Sequence, residues 1–533
     1  MRVNDVSDTT IAAATPGLPA GWSAFTTTIF SNIMANLARA AAVSFVTLLL
    51  PAYLTHQLPV AVYAAWVLIL QLGAYVSYLD LGIQTGVSKF VAQYVSLGDE
   101  AEAGRYASAG FLLMILAGSL GLGLTGLLAW QVPRLFAAMP ASLFHEVRVG
   151  LLLVGSSLSF GLVCAVYSAV FLGLQRYWIP TAVTIVNRVS FVAVVIAVVA
   201  LHGTLAIMGL AVAIVNVATG ILQVAAWWKK AAHVPMALKL VQLNILKSVG
   251  RYCSLQSIST LAMLCIAGLD VLLVGHYDYG QTAYYSIATL PTNFVLLLVG
   301  CALSPLMPAS SALSTKCSPS EMSEFLGKIT RYTTVLLLVT GLPLIVWGFP
   351  ILRVWVGPEY AAHSLRYLRI LVLANIIRNL CAPYATIITA TGRQAAALAA
   401  VISEAGVNLG SSIYLAHRFG AIGVAFGTLI GSFVSIAVHF AITMPFTRNT
   451  LAISRSQLFL KGLLRPAVTG IPTLILLPFW WHGPGAHGPE LAALWALSTF
   501  LLAWFLGIRN HERRYLVHSF RNLSVALSAA IGS

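Results

Sequence analysis

Six ionisable side chains lie inside long apolar stretches of this sequence. They are three arginines and three acids: Arg39, Asp80, Arg188, Asp270, Arg378 and Glu404. A charge at the centre of a membrane helix costs roughly 2.5–3.5 kcal/mol on insertion scales, so such residues usually face the protein interior or a water-filled path. Buried charges of both signs therefore favour a transporter over a membrane anchor or a scaffold.

The same charges have a structural explanation as well. Arg39 with Asp80, or Arg188 with Glu404, would form ion pairs that fix the register of neighbouring helices. Asp80 and Asp270 lie near the ends of their apolar stretches, where a charge at the membrane boundary is the simplest explanation. The sequence leaves both interpretations open.

The composition predicts the elements that carry these residues. The chain is 59% hydrophobic and 8% charged, with a mean hydropathy of +0.88, whereas soluble domains average about 25% charged residues. A spanning helix needs about 20 mostly apolar residues. The sequence predicts an all-α, polytopic membrane protein with about fourteen such segments, at 30–53, 61–84, 107–131, 149–173, 180–201, 204–228, 252–275, 285–308, 332–352, 368–390, 394–416, 420–444, 462–480 and 491–508.

The basic residues are distributed unevenly along the chain. Most of the 30 Lys and Arg fall in the loops on the same side as the N-terminus. Because positive loops mark the cytoplasmic side, we expect both termini to be cytoplasmic. Topology and contact with anionic lipid head groups explain the net charge of +15. No nucleic-acid partner is predicted.

A fixed offset of 217 residues relates two parts of the sequence. VCAVYSAVFLGLQR, from 163, matches LCAPYATIITATGR, from 380, and each is followed by two apolar segments. Parallel repeats around a central substrate site are a known transporter design. We predict a cytoplasmic tail (1–24), a six-helix bundle (25–228), a basic cytoplasmic linker (229–251), a second six-helix bundle (252–445), two extra helices (446–508) and a C-terminal cytoplasmic tail (509–533).

Polar residues at helical spacing indicate which faces would line that site. Asn36 shares a face with Arg39 on the first segment, and Thr181, Thr184 and Arg188 share one on the fifth. Glu404, Asn408 and Ser411 share a face on the eleventh segment. Isolated Ser, Thr and Asn commonly bond neighbouring helices instead. Faces that also carry a charge favour a polar cavity.

Motifs for other chemistries fail in their context. GLGLTG at 121–126 matches a dinucleotide fingerprint in letters, but it lies in a spanning segment without a preceding strand. The chain has no phosphate-binding P-loop. The twelve histidines are scattered, and the six cysteines have no metal-binding or disulfide spacing. We predict a non-enzyme without catalytic residues, cofactor or metal.

Several stretches resemble the polysaccharide-transporter family. These stretches are YAAWVLILQLGAYVSYLDLGIQTGVSKFVAQ (63–93), FLGLQRYW (171–178), LDVLLVGHYDYGQTAYYSIA (269–288), RVWVGPEY (353–360) and the LRILVLANI…TGRQ region (368–394). The family comprises the O-antigen and exopolysaccharide repeat-unit flippases of the multidrug/oligosaccharidyl-lipid/polysaccharide (MOP) exporter superfamily. The resemblance extends over nearly the whole chain, and it rests on the order and spacing of the stretches rather than on one motif.

The resemblance implies two six-helix bundles that work by alternating access. It implies a substrate, an oligosaccharide linked through diphosphate to undecaprenol, which crosses from the cytoplasmic to the periplasmic leaflet. Arg39, Arg188 and Arg378, with Asn36, are the residues we expect to bind the head group, because guanidinium matches phosphate bidentately. Asp80, Asp270 and Glu404 would balance the charge of the empty cavity or bind a coupling H⁺ or Na⁺. Membrane lipids, a polymerase and export-machinery proteins are expected partners.

Three alternatives remain at this point. A lipid II flippase of the same superfamily would differ in the glycan. A multidrug or cation antiporter would need acidic cavity residues to dominate, whereas acids and arginines are equal in number here. An integral membrane glycosyltransferase or polymerase would need a catalytic carboxylate on an outer loop, and Glu146, Asp278, Glu359 and Glu490 are isolated there.

Overall fold

A computed structural model describes residues 48–314, 317–453, 455–475, 488–502 and 504–505. Within these residues every regular element is a helix. Most of the first predicted segment, with Asn36 and Arg39, lies outside the described residues, as do both predicted tails.

The described chain begins with a helical stretch at 48–57, and the longer helices follow in an up-and-down order. They are α1 Val60–Ala74, α2 Ile83–Ser96, α3 Glu100–Leu135, α4 Phe144–Gly173, α5 Trp178–Ala200, α6 Leu205–Lys230, α7 Leu243–Met263, α8 Asp270–Tyr277, α9 Thr282–Leu303, α10 Leu306–Ser314, α11 Pro319–Val346, α12 Gly348–Val356, α13 Pro358–Asn379, α14 Ala382–Ala390, α15 Gln394–Phe419, α16 Ala421–Val438 and α17 Gly488–Leu502. A further helical run covers Leu458–Ile475.

The prediction of an all-α, multi-pass membrane protein is confirmed. In the described part of the chain, eleven helices are long and apolar enough to cross a membrane, or twelve if a bent pair counts as one span. Predicted segments two to thirteen each have a helical counterpart in that set. The fourteenth corresponds to α17, whose 15 residues fall short of a full span.

Helix ends follow from local capping. The Asp99 side chain accepts a hydrogen bond from the Glu102 backbone N–H at 2.8 Å and so begins α3. Ser318 and Glu321 form a reciprocal capping box at the start of α11. Such caps satisfy the free N–H groups of the first helical turn. They place these helix starts in short polar loops between apolar spans.

The helix ends near Lys89, Arg176, Lys230 and Arg393 form what we call the basic end of the molecule. At the opposite end, one hydrophobic core joins the helices before and after the linker, and it includes Tyr63 and Leu68 together with Val274 and Tyr285. Towards the basic end the core divides. One cluster contains Val87 and Val170, and a separate one contains Met322 and Ile388. We call the helices before the linker the first half and those after it the second half. The two halves share one core at the opposite end and have separate clusters at the basic end, except that Cys253 of α7 packs with the first half there.

The seventh span is broken. A π-helical turn, Leu264–Gly268, separates α7 from α8, and the two parts are bent by 41°. Val249 and Cys253 of α7 pack in the core cluster of the first half, whereas Asp270 of α8 bonds to Thr428 of α16 in the second half. This span thus contacts both halves.

Candidate functional site

An ion pair lies between α13 and α15 in the second half. The Nε of Arg378 donates to Oε1 of Glu404, and its Nη1 donates to Oδ1 of Asn375 at 3.4 Å. The side chains of Arg378 and Glu404 are 15% and 3% exposed. The third guanidinium nitrogen, Nη2, is buried without a hydrogen-bond partner within the described residues. Arg378 therefore retains one buried donor nitrogen without a partner, although its charge is paired.

Asp270 lies in the same half and also interacts electrostatically with Arg378. Its Oδ2 accepts hydrogen bonds from Tyr285 Oη at 3.3 Å and from Thr428 Oγ1 at 3.1 Å. The residue is 7% exposed. The boundary explanation for Asp270 does not fit this position, because the carboxylate is enclosed by α9 and α16 rather than turned toward solvent.

The π-helical turn contributes two backbone acceptors to this region. A π-bulge interrupts the regular i→i−4 bonding of a helix and is frequent at functional sites. The Ile266 carbonyl accepts from Asn408 Nδ2 of α15 at 2.8 Å. The Gly268 carbonyl accepts from Gln71 Nε2 at 2.8 Å and from Tyr75 Oη at 2.9 Å, both in the first half. The turn thus connects the halves close to Asp270.

Arg188 occupies a different position, on an exposed face of α5 in the first half. Thr181 and Thr184 share this face, and their hydroxyls donate to carbonyls of their own helix. Two and three turns further on, the same face carries Val195 and Val199, which are buried in the core that joins both halves. One face of α5 is therefore buried in the shared core at Val195 and Val199. Towards the basic end the same face is exposed at Arg188.

Asp80 is half-buried and has a local structural role. Its Oδ1 accepts the backbone N–H of Gln84 at 3.1 Å, where the chain restarts as α2. Leu81 and Gly82, between the 3₁₀ turn Tyr75–Asp80 and α2, have positive φ angles of 48° and 81°. The Leu81 carbonyl then accepts from Ser257 Oγ of α7 at 3.1 Å. Asp80 stabilises a break in the second span.

The structure thus brings together three of the predicted residues, Asp270, Arg378 and Glu404, and places Arg188 and Asp80 elsewhere. The partner of Glu404 is Arg378, so the alternative pairing of Glu404 with Arg188 is not formed. Arg39 and Asn36 lie outside the described residues, and the pairing of Arg39 with Asp80 stays a prediction.

Several polar residues of the site carry no charge and were missed by the search for ionisable groups. Tyr285, Thr428 and Asn375 contact the charged cluster directly. Asn375 lies three residues before Arg378, and this helical spacing was a usable signal. Arg331, which the sequence analysis did not single out, is 3% exposed inside α11.

Comparison by sequence finds no matching protein-family model and no curated relative. Comparison by structure does find matches. An inward-facing MATE-family multidrug resistance transporter of the MOP superfamily aligns with a TM-score of 0.65 at 14% identity, over 76% of this chain and 95% of its own. Lipid II flippase MurJ, in an inward closed conformation, aligns with a TM-score of 0.68 at 13% identity, over 88% and 97%.

A third match is a MOP-superfamily transporter from Pyrococcus furiosus, for which a binding pocket of reversed polarity suggests a different function. It aligns with a TM-score of 0.52 at 16% identity, over 81% of this chain and 96% of its own. The chain has the fold of these transporters. At such low identities the likeness establishes the fold and leaves the substrate to be argued from the residues of the site.

Proposed function

We propose that this protein is a flippase for undecaprenyl-diphosphate-linked oligosaccharide repeat units. It would move them from the cytoplasmic to the periplasmic leaflet of a bacterial inner membrane, for O-antigen or exopolysaccharide synthesis. The fold supports a transporter that works by alternating access between two halves. The charged residues support an anionic substrate.

The balance of donors and acceptors carries the proposal. Each of the three acids predicted within the apolar segments is already engaged: Asp80 caps a helix, Asp270 accepts two hydroxyl bonds and Glu404 binds Arg378. On the cationic side, Arg378 retains a buried, unpartnered Nη2, and Arg188, which lies apart from this cluster, is exposed. Engaged acids and incompletely bonded guanidinium groups suit a diphosphate better than a cation.

The position of Arg188 supports an aqueous path rather than lipid contact. An arginine facing lipid at this depth would be costly, and its helix face is the one that enters the core between the halves further along α5. We place Arg188 on the wall of an opening between the halves, on the basic side. With the basic loops cytoplasmic, this is an inward-facing arrangement that admits a head group from the cytoplasm.

Glu404 would then act as the internal counter-ion of Arg378. In the substrate-free protein it neutralises the guanidinium, which avoids an unpaired buried charge. A diphosphate that approaches Arg378 competes with Glu404, and a proton on Glu404 or a cation at Asp270 would favour the exchange.

Both termini would be cytoplasmic, and a polymerase and export-machinery proteins would receive the product.

The decisive experiment is deletion of the gene, followed by lipid extraction and assignment of lipid-linked glycan to each leaflet. We expect undecaprenyl-diphosphate oligosaccharide to accumulate on the cytoplasmic leaflet, and the intact gene to reverse this. Arg188→Ala and Arg378→Ala should fail to reverse it at normal protein levels. Arg418→Ala is the matched control, because Arg418 is exposed at the other end of the spans and stacks on Tyr414.

Other results would redirect the assignment. Accumulation of lipid II would favour the lipid II flippase. Normal lipid-linked glycan with altered sensitivity to cationic drugs would favour a multidrug or cation antiporter. Full rescue by both arginine variants would refute the head-group role of these arginines.

A further inference from the structure

A chain of uncharged polar side chains lies between α4, α5 and α6 in the first half. The Nδ2 of Asn187 donates to Asn216 Oδ1 at 3.3 Å and to Thr219 Oγ1 at 3.1 Å. Asn216 Nδ2 donates to Ser157 Oγ at 3.0 Å. Gln223 follows Thr219 by one helical turn, and its Oε1 is buried without a partner in the described part of the chain. We call these five residues the amide cluster.

The amide cluster faces the protein rather than the lipid. On α6, Ile207, Ile214 and Ile221 repeat every seven residues and are 48–60% exposed, which marks the lipid-facing side. Asn216 and Gln223 lie roughly 180–200° around the helix from Ile214. Both residues are half-buried. On α5 the cluster begins at Asn187, the residue next to Arg188.

The repeat in the sequence does not extend to the polar residues of the amide cluster. With the offset of 217 residues, the positions of Ser157, Asn216, Thr219 and Gln223 correspond to Ala374, Phe433, Ile436 and Phe440, all apolar. The position of Asn187 corresponds to Glu404, which carries the charge cluster of that half.

We propose that the amide cluster binds the neutral, hydroxyl-rich part of the substrate, which makes it a specificity site for the glycan. Amide groups both donate and accept hydrogen bonds, as sugar hydroxyls do, and the buried Gln223 oxygen is an acceptor without a partner in the described part of the chain. The inference rests on the proposed flippase function. It assigns the diphosphate to Arg188 and Arg378 and the sugars to the neighbouring uncharged surface.

The test compares two probes on the purified full-length protein. One is the lipid-linked oligosaccharide extracted from cells that lack the gene, and the other is undecaprenyl diphosphate without sugar. The ratio of the two affinities measures the contribution of the glycan. Thr219→Val and Gln223→Leu should each lower this ratio roughly three- to tenfold, the effect of losing one hydrogen bond. Affinity for undecaprenyl diphosphate should not change.

Thr340→Val is the matched control, because Thr340 is a half-buried threonine of α11 that bonds to the Leu336 carbonyl of its own helix. Gln223→Leu is the variant less exposed to misfolding, because the Gln223 oxygen has no hydrogen bond to lose within the described fold. An unchanged ratio, or an equal loss for both probes, would overturn the glycan site. If the unaltered protein binds neither probe, the flippase proposal itself fails. That result differs from the failure of the glycan site alone, in which the unaltered protein still binds the probes.

Discussion

At the scale of residues, variants of the buried ion pair of Arg378 and Glu404 can distinguish a role in stability from a role in transport. Replacing Arg378 alone with Met leaves Glu404, which is 3% exposed, without its cation. Breaking a buried pair in this way costs about 3–5 kcal/mol. We therefore expect Arg378→Met to lower both the unfolding temperature in detergent and the glycan export.

The double variant Arg378→Met/Glu404→Gln removes both charges and is the control for that result. It should recover most of the unfolding temperature, because no unpaired charge remains. Export should stay absent, since the diphosphate has lost its guanidinium. A double variant that exports normally would assign the pair to structure alone.

The sequence predicted charged residues within the apolar segments, but not how they pair. The repeat places Glu404 opposite the neighbour of Arg188, which suggested a contact between them. Arg378, on the preceding span, is instead the partner. Spacing along one helix fixes the face of a residue, whereas the crossing of two helices depends on the packing of all their side chains. The interpretation of Asp270 stayed open for the same reason, since Tyr285 and Thr428, which enclose it, belong to other helices.

At the scale of elements, apolar length was enough to predict segments two to thirteen, but the interruptions within them left weaker signals. The sequence of the π-helical turn before Asp270 contains no proline and is as apolar as the rest of the span. The break in the seventh span was therefore not predicted. The second span continues as helix to Ser96, beyond its predicted end at 84. The Leu-Asp-Leu-Gly turn contains the break, which a capping aspartate and a glycine with positive φ stabilise.

Gly82 in that turn allows a close contact between the two halves. A Cβ on Gly82 would lie 2.4 Å from Gln256 Cγ and 2.7 Å from Gln256 Cβ of α7. Gly98, the end of α2, has a similar φ of 76° but nothing within 4 Å of such a Cβ. Gly82→Ala should therefore be less stable than Gly98→Ala by about 1–3 kcal/mol, the usual cost of overpacking.

Thermal unfolding of both variants in detergent measures this difference, and the shared backbone strain cancels in the comparison. Export should also fall for Gly82→Ala, because the contact of α2 with α7 is displaced. Equal unfolding temperatures for the two variants would mean that α7 shifts away from the turn without cost.

A second element to test is the π-helical turn, whose Gly268 carbonyl receives hydrogen bonds from Gln71 and Tyr75. Tyr75→Phe removes one of these donors and retains the ring, so a stability loss of about 0.5–1.5 kcal/mol is expected. Tyr279→Phe is a matched control, since its hydroxyl also bonds across the halves, to the Ala61 carbonyl at 2.7 Å, but away from the turn. Hydrogen exchange of the 264–270 amides should increase for Tyr75→Phe and not for Tyr279→Phe. Equal exchange in both would mean that the donors of α1 do not hold the turn.

At the scale of the whole molecule, the core divides towards the basic end. The halves share one core at the opposite end and, apart from α7, have separate cores at the basic end. We therefore expect the opening on the basic side. Alternating access requires a second state in which this relation is reversed. One face of α5 extends from exposed Thr184, towards the basic end, to buried Val195 in the shared core. Labelling of residues on this face can therefore measure the accessibility of both regions.

Single cysteines on this face test the arrangement directly. In a variant with the six native cysteines replaced, we expect Thr184→Cys to react with a membrane-impermeant maleimide applied to the cytoplasmic side, as in inside-out vesicles. Val195→Cys should not react from either side, because it is 0% exposed in the joined core. Adding the reagent to the periplasmic side should leave both unlabelled in the absence of substrate. Labelling of Val195→Cys but not Thr184→Cys would place the resting opening at the opposite end. Labelling of Thr184→Cys from the periplasmic side alone would reverse the predicted topology, because the basic loops would then face outward.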